Sequence, residues 1–301
     1  MVNERQIAVK IAYLIIVHKD PEQLFRLIRA LIYKDEEFFI HIDKKCDIKP
    51  FVDSLSLLKD QRVHLIKDRQ AVRLAGSYSH TESIVKSLLE IFSKPCDFDY
   101  LILLSGQDYP IKSNELIHAF LNKNKGKEFV EHMSLLTFRG DEMKGRLRRY
   151  TGYFFYEFGL MGRFLNLAGR LLPRKQFPKG YAPYYGSTYW RITRECAAFL
   201  VEFINKNPKF MHFFRFSYCS DECLFQTIVL NSPFGTNVVN SSLTYLDWST
   251  GLHPKVLTHE NFNKLRDSDA LFARKFDIYK DSKVLDLIDV KLLREDLKAS
   301  H

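Results

Sequence analysis

The chain lacks a hydrophobic run long enough to cross a membrane. Near the N-terminus of its 301 residues, the longest apolar run is Ile-Ala-Tyr-Leu-Ile-Ile-Val at residues 11–17. A spanning helix needs roughly 20 apolar residues, and the run also lacks the small-residue cleavage site of a signal peptide. We therefore predict a buried strand here, closed by His18-Lys19-Asp20-Pro21.

Cysteine is scarce as well. The five cysteines are an odd and sparse set, unlike the dense and even framework of a small disulfide-bonded domain. Cys219 and Cys223 could suggest a metal pair, but no second Cys or His pair stands at zinc-site spacing. We expect reduced thiols, as in the cytosol, and no structural zinc.

Two nucleotide-binding motifs are missing. No Gly-x-Gly-x-x-Gly follows the first predicted strand, and no Gly-x-x-x-x-Gly-Lys-Ser/Thr occurs anywhere. A dinucleotide-dependent oxidoreductase and a P-loop enzyme therefore lose their main support.

Acidic residues are outnumbered by basic ones. Forty-five Lys and Arg against 36 Asp and Glu leave a formal charge of +9. This charge favours nucleic acid, phosphorylated small molecules or an anionic membrane surface as partners. Since no helix-turn-helix, zinc-finger or RNP signature is present, we do not expect nucleic-acid binding, and it stays the third hypothesis.

What the chain does contain is an alternation of apolar strands and amphipathic helices. Strands are predicted at residues 11–17, 38–43, 63–66 and 100–104. Helices are predicted after the N-cap Asp20 and Pro21, from a capping box of Ser79 and Glu82, and after the N-cap Ser113. This order predicts an α/β fold with a mostly parallel sheet flanked by helices. We expect one domain over residues 1–301, with a nucleotide-binding half to about residue 125 and an acceptor- and diphosphate-binding half from about 126.

Polar residues follow the predicted strands where each one ends. They are His18, Asp43 and the turn Gly106-Gln107-Asp108. Because parallel sheets bind ligands at the carboxyl ends of their strands, we expect the ligand site at this edge.

Basic and aromatic residues concentrate in residues 144–180. A helix over residues 158–172 would place one apolar stripe on one face, with Arg163 and Arg170 on its flanks. The stripe consists of Leu160, Phe164, Leu167, Ala168 and Leu171. Such a face suits either contact with a membrane interface or packing on the core of the protein, and the second is the commoner outcome.

Four ordered segments resemble the core 2/I-branching β-1,6-N-acetylglucosaminyltransferases and their peptide O-xylosyltransferase relatives. The first pairs Tyr13-Leu-Ile-Ile-Val-His18 with Ile40-His-Ile-Asp43. The second is Tyr100-Leu-Ile-Leu-Leu-Ser-Gly-Gln-Asp-Tyr-Pro-Ile-Lys112. The third runs from Gly186-Ser-Thr-Tyr-Trp190 to Arg194-Glu195, and the fourth joins Ser220-Asp-Glu-Cys-Leu-Phe225 to Leu271-Phe-Ala-Arg-Lys-Phe-Asp277. The resemblance, to a bacterial member, implies a variant GT-A fold and inverting transfer from a UDP-sugar to a hydroxyl without a metal ion.

The resemblance also implies roles for particular residues. It places the general base at Glu222, and the cations that neutralise the departing diphosphate at Lys275, Arg274 and Lys255. It places donor contacts at Val17, His18, Asp43 and Asp108. From position alone, Glu222 could instead be an acidic residue that offsets the dipole of a helix beginning near Leu224.

Acceptor contacts are implied more loosely. The candidates are Arg146, Arg149, Tyr150, Trp190, Asp247 and Trp248, because basic groups and aromatic faces suit sugar binding. Core packing is the alternative for each aromatic residue, and the preferred one for Trp190. Thr188 stands where the xylosyltransferase branch carries an acidic residue, which favours N-acetylglucosamine over xylose as the donor sugar and leaves other UDP-sugars open.

Two Asp-x-Asp sequences resemble metal motifs. Asp97-Phe-Asp99 precedes the fourth predicted strand and so lies at the wrong edge of the sheet, while Asp267-Ser-Asp269 lies in a charged surface stretch. We interpret neither as a metal site and expect no cofactor.

The leading hypothesis is thus a metal-independent inverting glycosyltransferase, acting from a UDP-sugar on a glycan that is free or lipid-linked. Since the sequence begins almost at its first strand, we expect a cytoplasmic protein, with peripheral contact to the inner face of the cytoplasmic membrane through residues 144–180. The alternative is a catalytically silent carbohydrate- or membrane-binding protein that retains the fold.

Overall fold

A mostly parallel sheet forms the centre of the fold in the computed structural model. The structure describes residues 9–294, apart from residues 75, 94, 96, 250 and 252. Within these residues the strands are β1 Ile11–Val17, β2 Glu37–Ile42, β3 Val63–Leu65, β4 Tyr100–Ser105, β5 Asp108–Pro110, β6 Glu128–Phe129, β7 Met133–Ser134, β8 Tyr184–Tyr185, β9 Arg191–Thr193, β10 Val238–Val239, β11 Thr244–Leu246 and β12 Phe272–Arg274. In the described part of the chain the large sheet has seven strands in the order β10-β6-β9-β4-β1-β2-β3, of which only β9 runs antiparallel to its neighbours.

Helices cover both faces of this sheet. They are α1 Pro21–Leu31, α2 Lys49–Ser56, α3 Tyr78–Ile91, α4 Asn114–Lys123, α5 Gly140–Thr151, α6 Gly159–Gly169, α7 Arg194–Lys206, α8 Pro208–Phe214, α9 Leu224–Leu230, α10 Phe262–Arg266 and α11 Lys283–Lys291. Short 3-10 turns lie at Leu135–Thr137, Tyr156–Phe158, Ser220–Glu222, Pro233–Asn237 and His259–Asn261. Among the described residues, no helix combines the length and the apolar character that crossing a membrane requires.

The central strand β1 shows why two cores form. All seven of its side chains are buried, and they alternate between the faces of the sheet. Tyr13 and Ile15 join a core with α1, whereas Leu14 and Ile16 join a second core with α3. A strand buried on both faces reads as a continuous apolar run, which is the pattern that the sequence shows.

A smaller sheet abuts the carboxyl edge of the large one. Its strand order is β11-β12-β5, with β11 and β12 parallel. The backbone N–H of Phe276, just after β12, donates to the carbonyl of Gln107 at 2.9 Å. Buried Gln23 of α1 ties the same two segments together, because its Nε2 donates to the carbonyls of Gly106 and Phe276 at 2.9 and 3.2 Å. The end of β12 is thereby held beside the end of β4.

The predicted N-terminal caps of the helices are confirmed only in part. Ser113 caps α4 as predicted, its side chain accepting from the N–H of Leu116. The capping box at Ser79 is wrong: α3 begins at Tyr78 after Ser77, and the Ser79 hydroxyl accepts from the N–H of Arg73 instead. Asp20 does precede α1, but its side chain makes no capping bond.

Candidate active site

The ends of β1, β2 and β4 meet, as the strand pattern predicts. The N–H of Asp43 donates to the carbonyl of Val17 at 2.8 Å, and the N–H of Gly106 donates to that of Ile16 at 3.0 Å. A Cβ on Gly106 would lie 2.6 Å from Cγ2 of Val17, so only glycine allows this approach. Val17 is buried and His18 is exposed beside it.

Arg69 stabilises the loop at this edge of the sheet, a role that the sequence analysis did not predict. Its guanidinium donates to the carbonyls of Ile42, Asp43 and Cys46 at 2.8–2.9 Å. The buried Asp43 side chain accepts from the N–H of Lys45 at 2.9 Å. The predicted donor residue Asp43 therefore lies in a loop that is held rigidly by backbone contacts.

Asp108 lies deeper than a ligand contact would require. One carboxylate oxygen accepts from the N–H of Ser105 at 2.6 Å, and the other lies 3.4 Å from Nε of Arg274. Burial raises the pKa of Asp108, while the charge of Arg274 opposes that rise. The carboxylate is engaged within the protein, where it positions Arg274.

The three predicted diphosphate cations come from segments that meet at the end of the small sheet. Leu246 at the end of β11 is paired with Arg274. The N–H of Lys255 donates to the carbonyl of Asp247 at 2.7 Å, and the N–H of Leu257 donates to that of Lys275 at 2.8 Å. Neither Lys255 nor Lys275 has a side-chain hydrogen bond or ion pair to another residue in the described part of the chain.

Asp247 and Trp248 follow β11 at the surface. Trp248 is 54% exposed, and the Asp247 side chain accepts from the N–H of Ser249 at 2.9 Å. An exposed indole beside the cation-bearing segments is placed to pack against a sugar face.

Glu222 ends a 3-10 turn, Ser220–Glu222, that long-range contacts hold in place. Its carbonyl accepts from the N–H of Gly186 at 2.8 Å, and Cys219 before the turn donates to the carbonyl of Gly76 at 2.6 Å. The Glu222 side chain is half-buried, and its carboxylate forms no hydrogen bond or ion pair with the other described residues. It is therefore available to an external group.

A buried network beside Glu222 was missed at the sequence level. His80 Nδ1 lies 3.0 Å from Oδ2 of Asp221, and the Thr188 hydroxyl donates to the same oxygen at 2.7 Å. These partners hold the pKa of Asp221 below its ordinary value, although burial by itself favours the neutral acid. Asp221 thus places a buried negative charge next to Glu222.

That charge shapes the chemistry of Glu222. Burial first, and the charge of Asp221 second, raise the pKa of Glu222 to about 7, while the charges of Arg149 and His80 oppose the rise. A carboxyl group with a pKa near neutrality suits proton transfer at physiological pH. The motif Ser-Asp-Glu predicts the residue, but only the fold explains this pKa.

Two consecutive residues, Thr188 and Tyr189, contact Asp221 and Arg274 respectively. Thr188 bonds to Asp221, and the ring of the next residue, Tyr189, lies 4.1 Å beneath the guanidinium carbon of Arg274. Burial raises the pKa of Tyr189 to about 12, so this ring stays neutral. The carboxylate of Asp221 and the guanidinium of Arg274 therefore contact neighbouring residues of the same segment.

Two of the predicted acceptor residues require correction. Tyr150 and Trp190 are each 1% exposed and pack in the core with α3, so neither ring has a face open to an acceptor. Core packing was the preferred alternative for Trp190, and the structure bears it out.

The two arginines among the predicted acceptor residues differ in their surroundings. Arg149 is exposed, and its charge acts on Glu222. Arg146 stacks 4.3 Å above the ring of Phe138 and donates to the Tyr185 hydroxyl at 2.8 Å. Arg149 therefore lies at the mouth of the site, whereas Arg146 is already engaged by aromatic neighbours.

The two Asp-x-Asp sequences lie away from this edge. Asp99 accepts from the N–H of Lys10 at 2.8 Å, and Asp97 pairs with the side chain of Lys10. Asp267 pairs with Arg266 at the surface. A cavity of about 400 Å³ lies near Asp97 at the amino edge of the sheet, but its lining includes Asp35, Glu37 and Glu90, which would repel a diphosphate.

Comparison with known proteins establishes the class. The family model described as "Branch: Core-2/I-Branching enzyme" matches residues 11–267. The chain therefore belongs to the core-2/I-branching enzyme family, as the four motifs predicted. The predicted α/β class, with a mostly parallel sheet flanked by helices, is confirmed by the strand order and the helices of the structure.

Individual relatives are more distant. Xylosyltransferase 2 of Rattus norvegicus is 25% identical over 308 residues, which cover 94% of this chain and 34% of the relative. Beta-glucuronosyltransferase GlcAT14B of Arabidopsis thaliana is 25% identical over 297 residues, which cover 94% of this chain and 66% of the relative. The chain thus spans about a third of the length of the xylosyltransferase.

Among solved structures, mouse xyloside xylosyltransferase 1 in its apo form matches with a TM-score of 0.38 and 12% identity. The match covers 88% of this chain and 97% of the mouse chain.

Proposed function

We propose that this protein is an inverting glycosyltransferase that moves a sugar from a UDP-sugar to a glycan hydroxyl, with Glu222 as the general base. The observation that carries the proposal is the half-buried Glu222 carboxyl group, which has no hydrogen-bond or ion-pair partner among the described residues and whose pKa is raised to about 7. Family membership supports the same conclusion.

The proposed reaction is a single in-line displacement. Glu222 takes the proton of the acceptor hydroxyl as its oxygen attacks the anomeric carbon of the donor. The bond from that carbon to the diphosphate breaks, and UDP leaves with the electron pair. Inversion follows because the nucleophile and the leaving group lie on opposite faces of the sugar.

The leaving diphosphate needs positive charge. In this proposal Lys275, Arg274 and Lys255 supply it without a metal ion, since preorganised cations stabilise charge that develops in the transition state. Arg274 is the best positioned of the three, because Asp108 and Tyr189 hold its guanidinium from two sides. The uridine would occupy the strand-end edge at Val17, His18 and Asp43.

For the donor sugar we propose N-acetylglucosamine. Thr188 is neutral, and its hydroxyl is engaged by Asp221, so this position offers a donor sugar no carboxylate. Xylose and glucuronic acid, the sugars in the names of the two relatives, are the alternatives. Binding of a panel of UDP-sugars would separate them.

For the acceptor we propose a glycan, free or lipid-linked, bound near Arg149, Asp247 and Trp248. We place the protein at the cytoplasmic face of the membrane as part of the same proposal. The alternative is a catalytically silent carbohydrate- or membrane-binding protein that retains the fold. Measured turnover of a UDP-sugar would exclude it.

The decisive experiment replaces Glu222 with Gln and measures UDP release in the presence of candidate glycans. Loss of a positioned base should lower the rate roughly a hundred- to ten-thousandfold, while UDP binding stays nearly unchanged. Glu260→Gln, on an exposed 3-10 turn, is the matched control. Normal turnover by Glu222→Gln would remove Glu222 from the mechanism, and donor binding by the parent protein without any turnover would favour the silent alternative.

A further inference from the structure

Exposed apolar side chains are concentrated in one segment. Of the 18 large hydrophobic residues that are exposed in the described part of the chain, seven lie in residues 158–172. They are Phe158, Leu160, Met161, Phe164, Leu167, Leu171 and Leu172. Single exposed apolar residues are ordinary, but a cluster of this kind marks an interaction surface.

The face presented by α6 matches the predicted stripe. The helix is shorter than the predicted 158–172, so Leu160, Phe164, Leu167 and Ala168 lie on α6 and Leu171 lies just after it. All five are exposed, and we call them the α6 face. Phe164 is 78% exposed and Leu171 is 88% exposed. The alternative that this stripe packs on the core is therefore wrong.

Glycines on the opposite side fix this orientation. A Cβ on Gly162 would lie 2.2 Å from the carbonyl oxygen of Phe155, and one on Gly169 would lie 3.1 Å from that of Tyr153. Asn166, on the same side, accepts from the N–H of Phe155 at 2.7 Å. Turning the helix to bury the α6 face would break these close contacts, so the apolar side chains are held outward.

The charged side chains within the segment that carries the α6 face have one sign. No Asp or Glu occurs between residues 158 and 194. Arg163, Arg170, Arg174 and Lys179 are exposed, and none forms an ion pair with another described residue. Lys175 does not belong to this set, because its ammonium group donates to the Phe213 carbonyl at 2.7 Å and to the Ser217 hydroxyl at 3.0 Å.

We propose that the α6 face binds the surface of an anionic lipid bilayer. Phe and Leu side chains would enter the boundary between headgroups and acyl chains, and the four cations would meet anionic headgroups. A second copy of this chain fits less well, because a symmetric contact through this face would oppose four cations to four cations.

The test is co-sedimentation of the full chain with vesicles, in the absence of donor and acceptor, so that its result is independent of the enzymatic proposal. One set of vesicles is phosphatidylcholine, and the other is phosphatidylcholine with an equal part of phosphatidylglycerol. We expect binding to the anionic set at low salt and release at high salt.

Two variants separate the apolar and charged contributions. Phe164→Gln with Leu171→Gln should weaken binding at least about tenfold, since both side chains lose burial in lipid. Arg163→Gln with Arg170→Gln and Arg174→Gln should weaken it roughly a hundredfold, from the contribution of each cation near an anionic surface. All five positions are exposed, so circular dichroism should show unchanged folding.

Matched controls use exposed residues elsewhere. Leu57→Gln with Leu136→Gln and, separately, Lys123→Gln with Lys127→Gln and Lys209→Gln should bind like the parent. The proposal is overturned if the parent does not bind anionic vesicles, if it binds neutral ones equally, or if the Phe164 and Leu171 variant binds as before. It also fails if the parent forms a dimer that this variant abolishes while neither binds vesicles.

Discussion

Glu222 and Asp221 are adjacent carboxylic acids whose pKa values are shifted in opposite directions. Asp221 is paired with His80 and Thr188 and stays charged, whereas the Glu222 carboxyl group has no such partners in the described part of the chain and is held partly neutral. Two acids in different environments can divide the work of positioning and proton transfer.

The raised pKa of Glu222 has a consequence for stability. The folded state holds this proton more tightly than the unfolded state does, so its stabilising contribution is lost as pH rises from the ordinary 4.5 through about 7. Glu222→Gln cannot ionise. We expect the variant to be more stable than the parent above pH 7, by up to about 3 kcal/mol, with little difference below 4.5.

Chemical denaturation at both ends of that pH range measures this difference. If Glu222→Gln is no more stable than the parent at high pH, Glu222 is not held partly neutral in the folded protein. A loss of activity in that variant would then be explained by misfolding.

Arg149 should tune the pH dependence of turnover. Its positive charge favours the ionised form of Glu222, so Arg149→Gln should raise the pKa of Glu222 further. We expect the acid limb of the profile of kcat against pH to move to higher pH. Arg148→Gln, at the neighbouring exposed position, should leave the limb in place. If the two variants have the same profile of kcat against pH, Arg149 does not influence the pKa of Glu222.

Among the elements, the end of β8 helps to position Glu222, the proposed base. Gly186, just after β8, donates to the carbonyl of Glu222, and a Cβ there would lie 1.9 Å from the carbonyl oxygen of Glu131. Both neighbours are backbone atoms and cannot move aside easily. The local fold therefore depends on a glycine at this position.

Gly186→Ala should lower the free energy of unfolding by about 1–3 kcal/mol, because it forces these segments apart. It should also lower kcat, since it displaces Glu222. Gly145→Ala is the control: this glycine lies inside α5, the added Cβ would meet no described atom within 4 Å apart from its chain neighbours and the backbone of its own helix, and alanine there should stabilise by about 0.5–1 kcal/mol. Thermal unfolding and turnover of both variants test the contrast, and a stable, fully active Gly186→Ala would contradict it.

At the scale of the whole molecule, the site joins strand ends from the first half of the chain to cations from its last quarter. β6, β9 and β10 of the second half complete the large sheet, and the small sheet pairs β5 with β12. Strands from both halves thus share these sheets, and the pairing of β12 with β5 places Arg274 opposite Asp108, next to the edge where we propose that the donor binds.

Lys275→Ala should weaken UDP binding about ten- to a hundredfold, as expected for a lost contact to a charged group, and should change uridine binding little. Excess EDTA should leave turnover intact if Lys275, Arg274 and Lys255 replace a metal. Lys280→Ala, exposed nearby, is the control for net charge. Isothermal titration and turnover with EDTA check both statements, and strong stimulation by manganese would count against the cationic mechanism.

Much of the architecture follows from local pattern. The apolar runs and their spacing determined β1, β2, β4 and the amphipathic helices between them, because side-chain periodicity reports which residues share a face. The edge at which the strands end, with His18, Asp43 and Gly106, followed from the predicted parallel topology. The sequence showed the motif Ser220–Glu222, but it did not show the hydrogen bonds that surround Asp221.

Only the tertiary structure decided the rest. His80 and Asp221 are 141 residues apart along the chain, and no local pattern brings them together. Periodicity showed the stripe on α6 but not which side of the helix faces the protein. That side is set by Gly162 and Gly169, because a backbone without Cβ atoms packs closer than the apolar face can, and the apolar face is left outside.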